Sequence, residues 1–162
     1  MSEIYFISVF LHVLAAAIWI GGMIFLPLVL LPAIKKHPDK AILIHTVGLK
    51  FRAVGWIVLL ILLLSGLFNM HFRQVEFSWD GLSDSAFGKM IFYKILIFFI
   101  TVLISSLHDF YIGTTATRLW MQEANSKRVQ NFRLWARWAG RINLLLAITA
   151  AGIGIALVRG FF

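Results

Sequence analysis

"FGKMIFYKILIFFITVLISSLHDFYIG", residues 87–113, decides the fold. A bilayer crossing needs about 20 apolar residues, and this run exceeds that. Lys94 interrupts it, and His108 and Asp109 close it. Ionisable side chains in a membrane span are costly and face the bundle interior. Lys94, Phe98, Thr101, Ser105 and His108 recur at the 4-3-4-3 spacing of one helix face. From Lys94 to His108 is roughly 21 Å along a helix axis, so the two lie near opposite membrane surfaces.

Working outward, three more apolar stretches are long enough to span: approximately 4–34, 51–72 and 139–160, beside the one at 87–113. Of the 162 residues, 60% are hydrophobic, against about 45–50% in soluble domains. The mean hydropathy is +0.88. The expected fold is all-α: one integral membrane domain, 1–162, forming a four-helix bundle. The first segment is not read as a cleaved signal peptide, because it lacks a basic leader and carries Pro27 and Pro32. The chain has no cysteine, which excludes disulfides, thiolate metal sites and covalent Cys-x-x-Cys-His haem attachment.

The formal net charge is +8, and its distribution argues for topology rather than nucleic acid. Lys35, Lys36, Lys40, Lys50 and Arg52 follow the first span against Asp39. Arg118, Lys127, Arg128, Arg133, Arg137 and Arg141 follow the third against Glu123. The middle linker has Arg73 and Lys89 with Glu76, Asp80 and Asp84. Basic loops stay cytoplasmic. Both termini are therefore expected on the outer, periplasmic side of a bacterial inner (cytoplasmic) membrane, with lipid as the surrounding partner. The tryptophans near span ends fit interfacial anchoring. "KKHPDKAILIHTVGLKFR", residues 35–52, is expected to form a short interfacial helix before the second span, with Ile42, Leu43, Val47 and Phe51 at the boundary.

The histidines sort by depth. His12 shares a face with Ala15, Ala16, Trp19, Gly22 and Met23, small residues that let a neighbouring helix or a flat macrocycle approach the backbone. His12 and His71 fall in the outer half, His45 and His108 in the inner half. Cations flank each pair: Arg73, Lys89 and Lys94 outside, and Lys50, Arg52 and Arg118 inside. Two such histidines, with cations for propionates, are what a b-type haem requires. Candidate metal ligands are thus His12, His71, His45 and His108. Candidate cofactor-binding residues are Lys94, Arg52, Arg73, Lys50, Arg118, Trp19 and Ser105. His37 reads as ordinary loop. Asp109 is expected to pair with Arg52 or Arg118 rather than with His108. In the fourth span Asn143 is polar, and Ala147, Ala150, Ala151 and Gly154 form a small-residue packing face.

"HVLAAAIWIGGMIFLPLVLLPAIKK" resembles the first helix of the CopD-type (copper-resistance protein D) membrane domain, and more distantly that of HemJ-type protoporphyrinogen oxidases. It shares an early histidine, a tryptophan seven residues on and a following glycine. "FRAVGWIVLLILLLSGLFN" resembles the CopD-type second helix. Residues 87–113 resemble the third helix of both groups, with an early lysine and a HemJ-like histidine–aromatic–glycine ending. His12, Lys94 and His108 carry the resemblance. The CopD likeness implies copper uptake or tolerance. The HemJ likeness implies a haem-binding oxidase acting on a porphyrinogen, with the first-helix histidine and third-helix lysine important. The chain lacks the further helices of a full copper-resistance protein D, and His71 and His45 are additional to the HemJ pattern.

The leading expectation is a haem b membrane redox protein with one or two haems, a b-type cytochrome that moves electrons within or across the membrane, with quinol or a respiratory-chain protein as partner. The alternatives are copper handling, using histidine and methionine donors, and porphyrinogen oxidation. A subunit role in a larger complex and homo-oligomerisation through the fourth span stay open.

Overall fold

The computed structural model describes residues 3–122 and 126–161. Glu123, the acid expected to offset the second basic linker, lies outside the described residues. Four helices are long and apolar enough to cross a membrane. The first rod, α1 (Glu3–Phe25), continues through a π-helical turn at Leu26–Leu30 into a last turn, Leu31–Ala33. Pro27 explains the turn: it has no N–H to donate, and its ring crowds the carbonyl four residues back. Widening the ladder relieves both, and Leu31 N–H donates to the Leu26 carbonyl.

Helix α2 (Lys40–Phe72) is continuous. The expected interfacial helix is therefore corrected: residues 40–51 are helical, but as the first turns of the spanning rod. The break falls at Pro38, and Gly48 alone does not interrupt a helix held by its neighbours. A short α3 (Trp79–Ser83) lies across the start of α4 (Ala86–Leu107). Gly88 permits this, since a side chain there would meet the Gly81 carbonyl. Ser85 caps α4 by accepting from Gly88 N–H at 2.9 Å. A π-helical turn, His108–Ile112, joins α4 to α5 (Gly113–Gln122). Helix α6 (Lys127–Arg159) starts at the Ser126 cap and ends at Gly160, whose φ of 71° suits glycine.

A helix of 33 residues, as α2 and α6 both are, is about 50 Å long, against about 30 Å of hydrocarbon. The surplus is the Lys/Arg-rich end of each rod, so one end of the bundle is basic and the other holds both termini and α3. Around the bundle the order is α1, α2, α4 with α5, then α6. α2 meets α5 at the basic end, and α1 and α6 close the ring. The interior is small: Ala15, Trp19, Val58, Leu59 and Ala147 form the central cluster. Phe6, Leu28, Leu64, Leu103 and Val158 are among many large apolar side chains left exposed. That is the surface of a chain solvated by lipid.

Candidate functional site

The site grows from the α1–α2 seam, where each large ring on one helix meets a glycine on the other. Trp19 lies over Gly55, with Cζ3 only 2.6 Å from where a Cβ would stand. Phe51 lies over Gly22 and stacks on Trp19 at 6.2 Å between centroids. Nearer the termini, His12 Cε1 sits 3.4 Å from the position of a Gly66 Cβ. This interlocking sets the axial register of the two helices and brings Ser65 beside His12.

His12 Nδ1 is 2.8 Å from Ser65 Oγ. Ser65 Oγ–H donates to the Ile61 carbonyl at 2.5 Å. A hydroxyl has one hydrogen to give, so Ser65 must accept from His12 Nδ1–H. The network thereby assigns the Nδ1–H tautomer and leaves Nε2 with its lone pair. Ser8, one turn away on α1, donates to the Ser65 carbonyl at 3.3 Å.

One cation, Lys94, stands within electrostatic reach of this imidazole, and a second, Arg73, within reach of Lys94. Lys94, half-buried on α4, reaches α6 at Gly154, where its Nζ lies 2.9 Å from the position a Cβ would take. Arg73 Nε donates to Tyr5 Oη at 3.2 Å, and Nη1 donates to the Leu157 carbonyl at 3.5 Å. Among the described residues the ion pair is His108–Asp109. Neither Lys94 nor Arg73 has a carboxylate partner there. Gly154 is thus lysine-accommodating, a role the small-residue reading of α6 does not contain.

The other candidates fall elsewhere. His71 is exposed and meets Phe72 edge-on at 6.2 Å. It is six residues beyond Ser65, about 9 Å further along α2, so it does not share the level of His12. At the basic end, His108 Nδ1 and Asp109 Oδ1 are 2.9 Å apart. The expectation that Asp109 pairs with an arginine is corrected. Arg52 instead donates to the Asp109 backbone carbonyl at 3.0 Å and lies over the Phe110 ring at 5.6 Å. The physical reason is the π turn, which alters the angular offset of neighbouring residues from that of an α-helix. Gly113 N–H donates to the His108 carbonyl, and the His108 ring packs over Gly113, which accounts for the histidine–aromatic–glycine ending. His45 is half-buried, seven residues before Arg52, about 10 Å along α2 from the Arg52–Asp109 level. The structure does not bring it to His108.

Ser105 is buried and accepts from Asn143 Nδ2 at 2.8 Å, tying α4 to α6. Trp19 is buried, and Lys50 and Arg118 are exposed. Sequence reasoning missed Ser65 and Gly66. The signal was present: "LLLSGLF" places a hydroxyl and a missing side chain together inside an apolar run.

No family model and no solved structure matches the chain. An uncharacterized protein of Aquifex aeolicus (strain VF5) is 32% identical over 163 residues, spanning 99% of this chain and 98% of its own length. Identity at that level over the whole length places the two in one family, and the chain belongs to the family of that Aquifex protein.

Proposed function

We propose that the protein is a haem b-binding membrane redox protein with one haem in the termini half of the bundle. The observation that supports it is the His12–Ser65–Ile61 chain of hydrogen bonds, with Lys94 close by. An axial histidine needs a neutral ring, one nitrogen hydrogen-bonded and the other free to ligate. His12 has that arrangement, and Ser65 orients it. Lys94 and Arg73, without carboxylate partners among the described residues, suit the two propionates. The donor set therefore fits the group. Haem bound there would supply one-electron transfer. Gly66 lets the His12 ring, and Gly154 the Lys94 amine, lie against the neighbouring backbone. Quinol from the surrounding lipid is the proposed redox partner.

By the positive-inside rule the basic end lies in the cytoplasm and both termini outside. His108 is engaged by Asp109 and His45 is offset from it, so the inner pair supports a second haem less well. The same cations would also suit the carboxylates of a porphyrinogen, which keeps an oxidase of the HemJ type as the second reading.

Visible spectra of the purified protein, oxidised and dithionite-reduced, with iron and copper analysis, test the proposal. A b-type α-band with about one iron per chain is expected, lost in His12→Ala. A colourless protein that binds copper would end it in favour of the CopD-type reading.

A further inference from the structure

A second site lies at the basic end, away from His12. A cleft of about 380 Å³ opens between the α4–α5 π turn and α6, lined by Leu107, Tyr111, Ile112, Arg128, Phe132 and Trp135, with Asn131 beside Arg128. Its polarity is graded along the bundle axis. Arg128 and Asn131 sit at the basic rim, in the first turns of α6. Phe132 and Trp135 follow on the same face, at the four- and seven-residue spacing of one helix stripe. Tyr111 packs edge-on to Phe132 at 6.3 Å, forming the aromatic wall, and Leu107, four residues before Tyr111, lies about one helical turn further from the basic end. Among the described residues no carboxylate pairs with Arg128.

We propose that this cleft holds one anionic phospholipid, with its phosphate on Arg128 and Asn131 and an acyl chain along Phe132, Trp135 and Leu107. Charge complementarity selects the headgroup, because a cation in a cleft at the membrane surface draws an anionic lipid. The graded lining selects an amphipath over a free anion, since an ion leaves the apolar lining, most of the cleft, uncovered. Lys127, Arg133 and Arg137, further cations in the first turns of α6, raise the local positive potential. Arg133 itself is turned onto the Trp120 ring at 3.9 Å, which leaves Arg128 as the cation in the lining.

Native mass spectrometry of the protein released from nanodiscs of equal phosphatidylglycerol and phosphatidylcholine tests this. Both leaflets carry both lipids, so the outcome is independent of orientation and of haem. One phosphatidylglycerol per chain is expected to be retained in preference to phosphatidylcholine. Arg128→Gln should lower that preference about fivefold, and Asn131→Leu should lower it in part. Lys36→Gln, on the same membrane side but outside the cleft, should leave it unchanged. Equal retention of the two lipids by the unmodified protein would overturn the proposal, as would an equal fall in Lys36→Gln. Displacement of the lipid by excess glycerophosphoglycerol, which lacks acyl chains, would mean that the site reads phosphate alone and would also overturn it.

Discussion

At the scale of single residues, the tautomer of His12 carries the functional proposal. Its Nδ1–H is held because Ser65 has already given its own hydrogen to Ile61. Ser65→Ala removes that support without touching the ligating nitrogen. Haem affinity should fall at least tenfold, the usual effect of losing such a supporting hydrogen bond. A titration of the haem-free protein followed at the Soret band measures it, with His12→Ala as the null. Lys94 makes the opposite trade. A cation in the apolar interior, with no carboxylate partner among the described residues, costs about 2.5–3.5 kcal/mol. Lys94→Leu should therefore raise the stability of the haem-free protein by up to that amount while weakening haem binding. Thermal unfolding in detergent decides: a lower melting temperature would mean that Lys94 is stabilised by an anionic group already present. His12 and Lys94 were both legible in the sequence as costly residues needing a reason. Their neighbours were not, because nothing in "LLLSGLF" announces that it lies opposite His12.

At the scale of elements, rings against glycines hold α1 to α2. Gly55→Leu would drive new atoms into Trp19, which stands 2.6 Å from the Cβ position. Overpacking of this kind costs about 1–3 kcal/mol, and Trp19→Ala alone about 3–5 kcal/mol. The double variant should be less destabilised than the sum of the two, since the new leucine occupies space the indole has left. Strict additivity in chemical or thermal unfolding would mean that the two positions do not meet. The small residues beside His12 and in the fourth span were visible as approach surfaces. Which large group would use each was not. Gly154 receives a lysine amine rather than a helix, and Gly113 receives the His108 ring because a π turn, undetectable from apolar periodicity, lies between them.

At the scale of the whole molecule, sorted charge carries the proposed orientation. The chain lacks cysteine, so single reporters are clean. Lys36→Cys, at the basic end, should react with a membrane-impermeant maleimide only after cells are opened. Asp84→Cys, beside α3, should react in intact cells. The reverse pattern would invert the proposed topology and move the His12 site to the cytoplasmic half. The spans themselves were plainly readable, because a run of apolar residues of bilayer length has few other uses in a chain. Their ends were less so: α2 and α6 run well past the hydrocarbon, since Lys- and Arg-rich turns remain good helix formers in water.

Composition and periodicity by themselves determined that this chain makes four apolar rods, which end of each rod is basic, and which polar side chains share a face. Those properties are local: each depends on residues within a few turns of one another. Only the tertiary structure decided which polar groups share a level. Sliding one helix past another by a single turn, about 5.4 Å, preserves every face while exchanging every partner. The offset is set by contacts between distant segments, Trp19 on Gly55 and Phe51 on Gly22. That register puts Ser65 rather than His71 beside His12, and the Arg52–Asp109 contact between α2 and the π turn leaves His45 about two helical turns from His108.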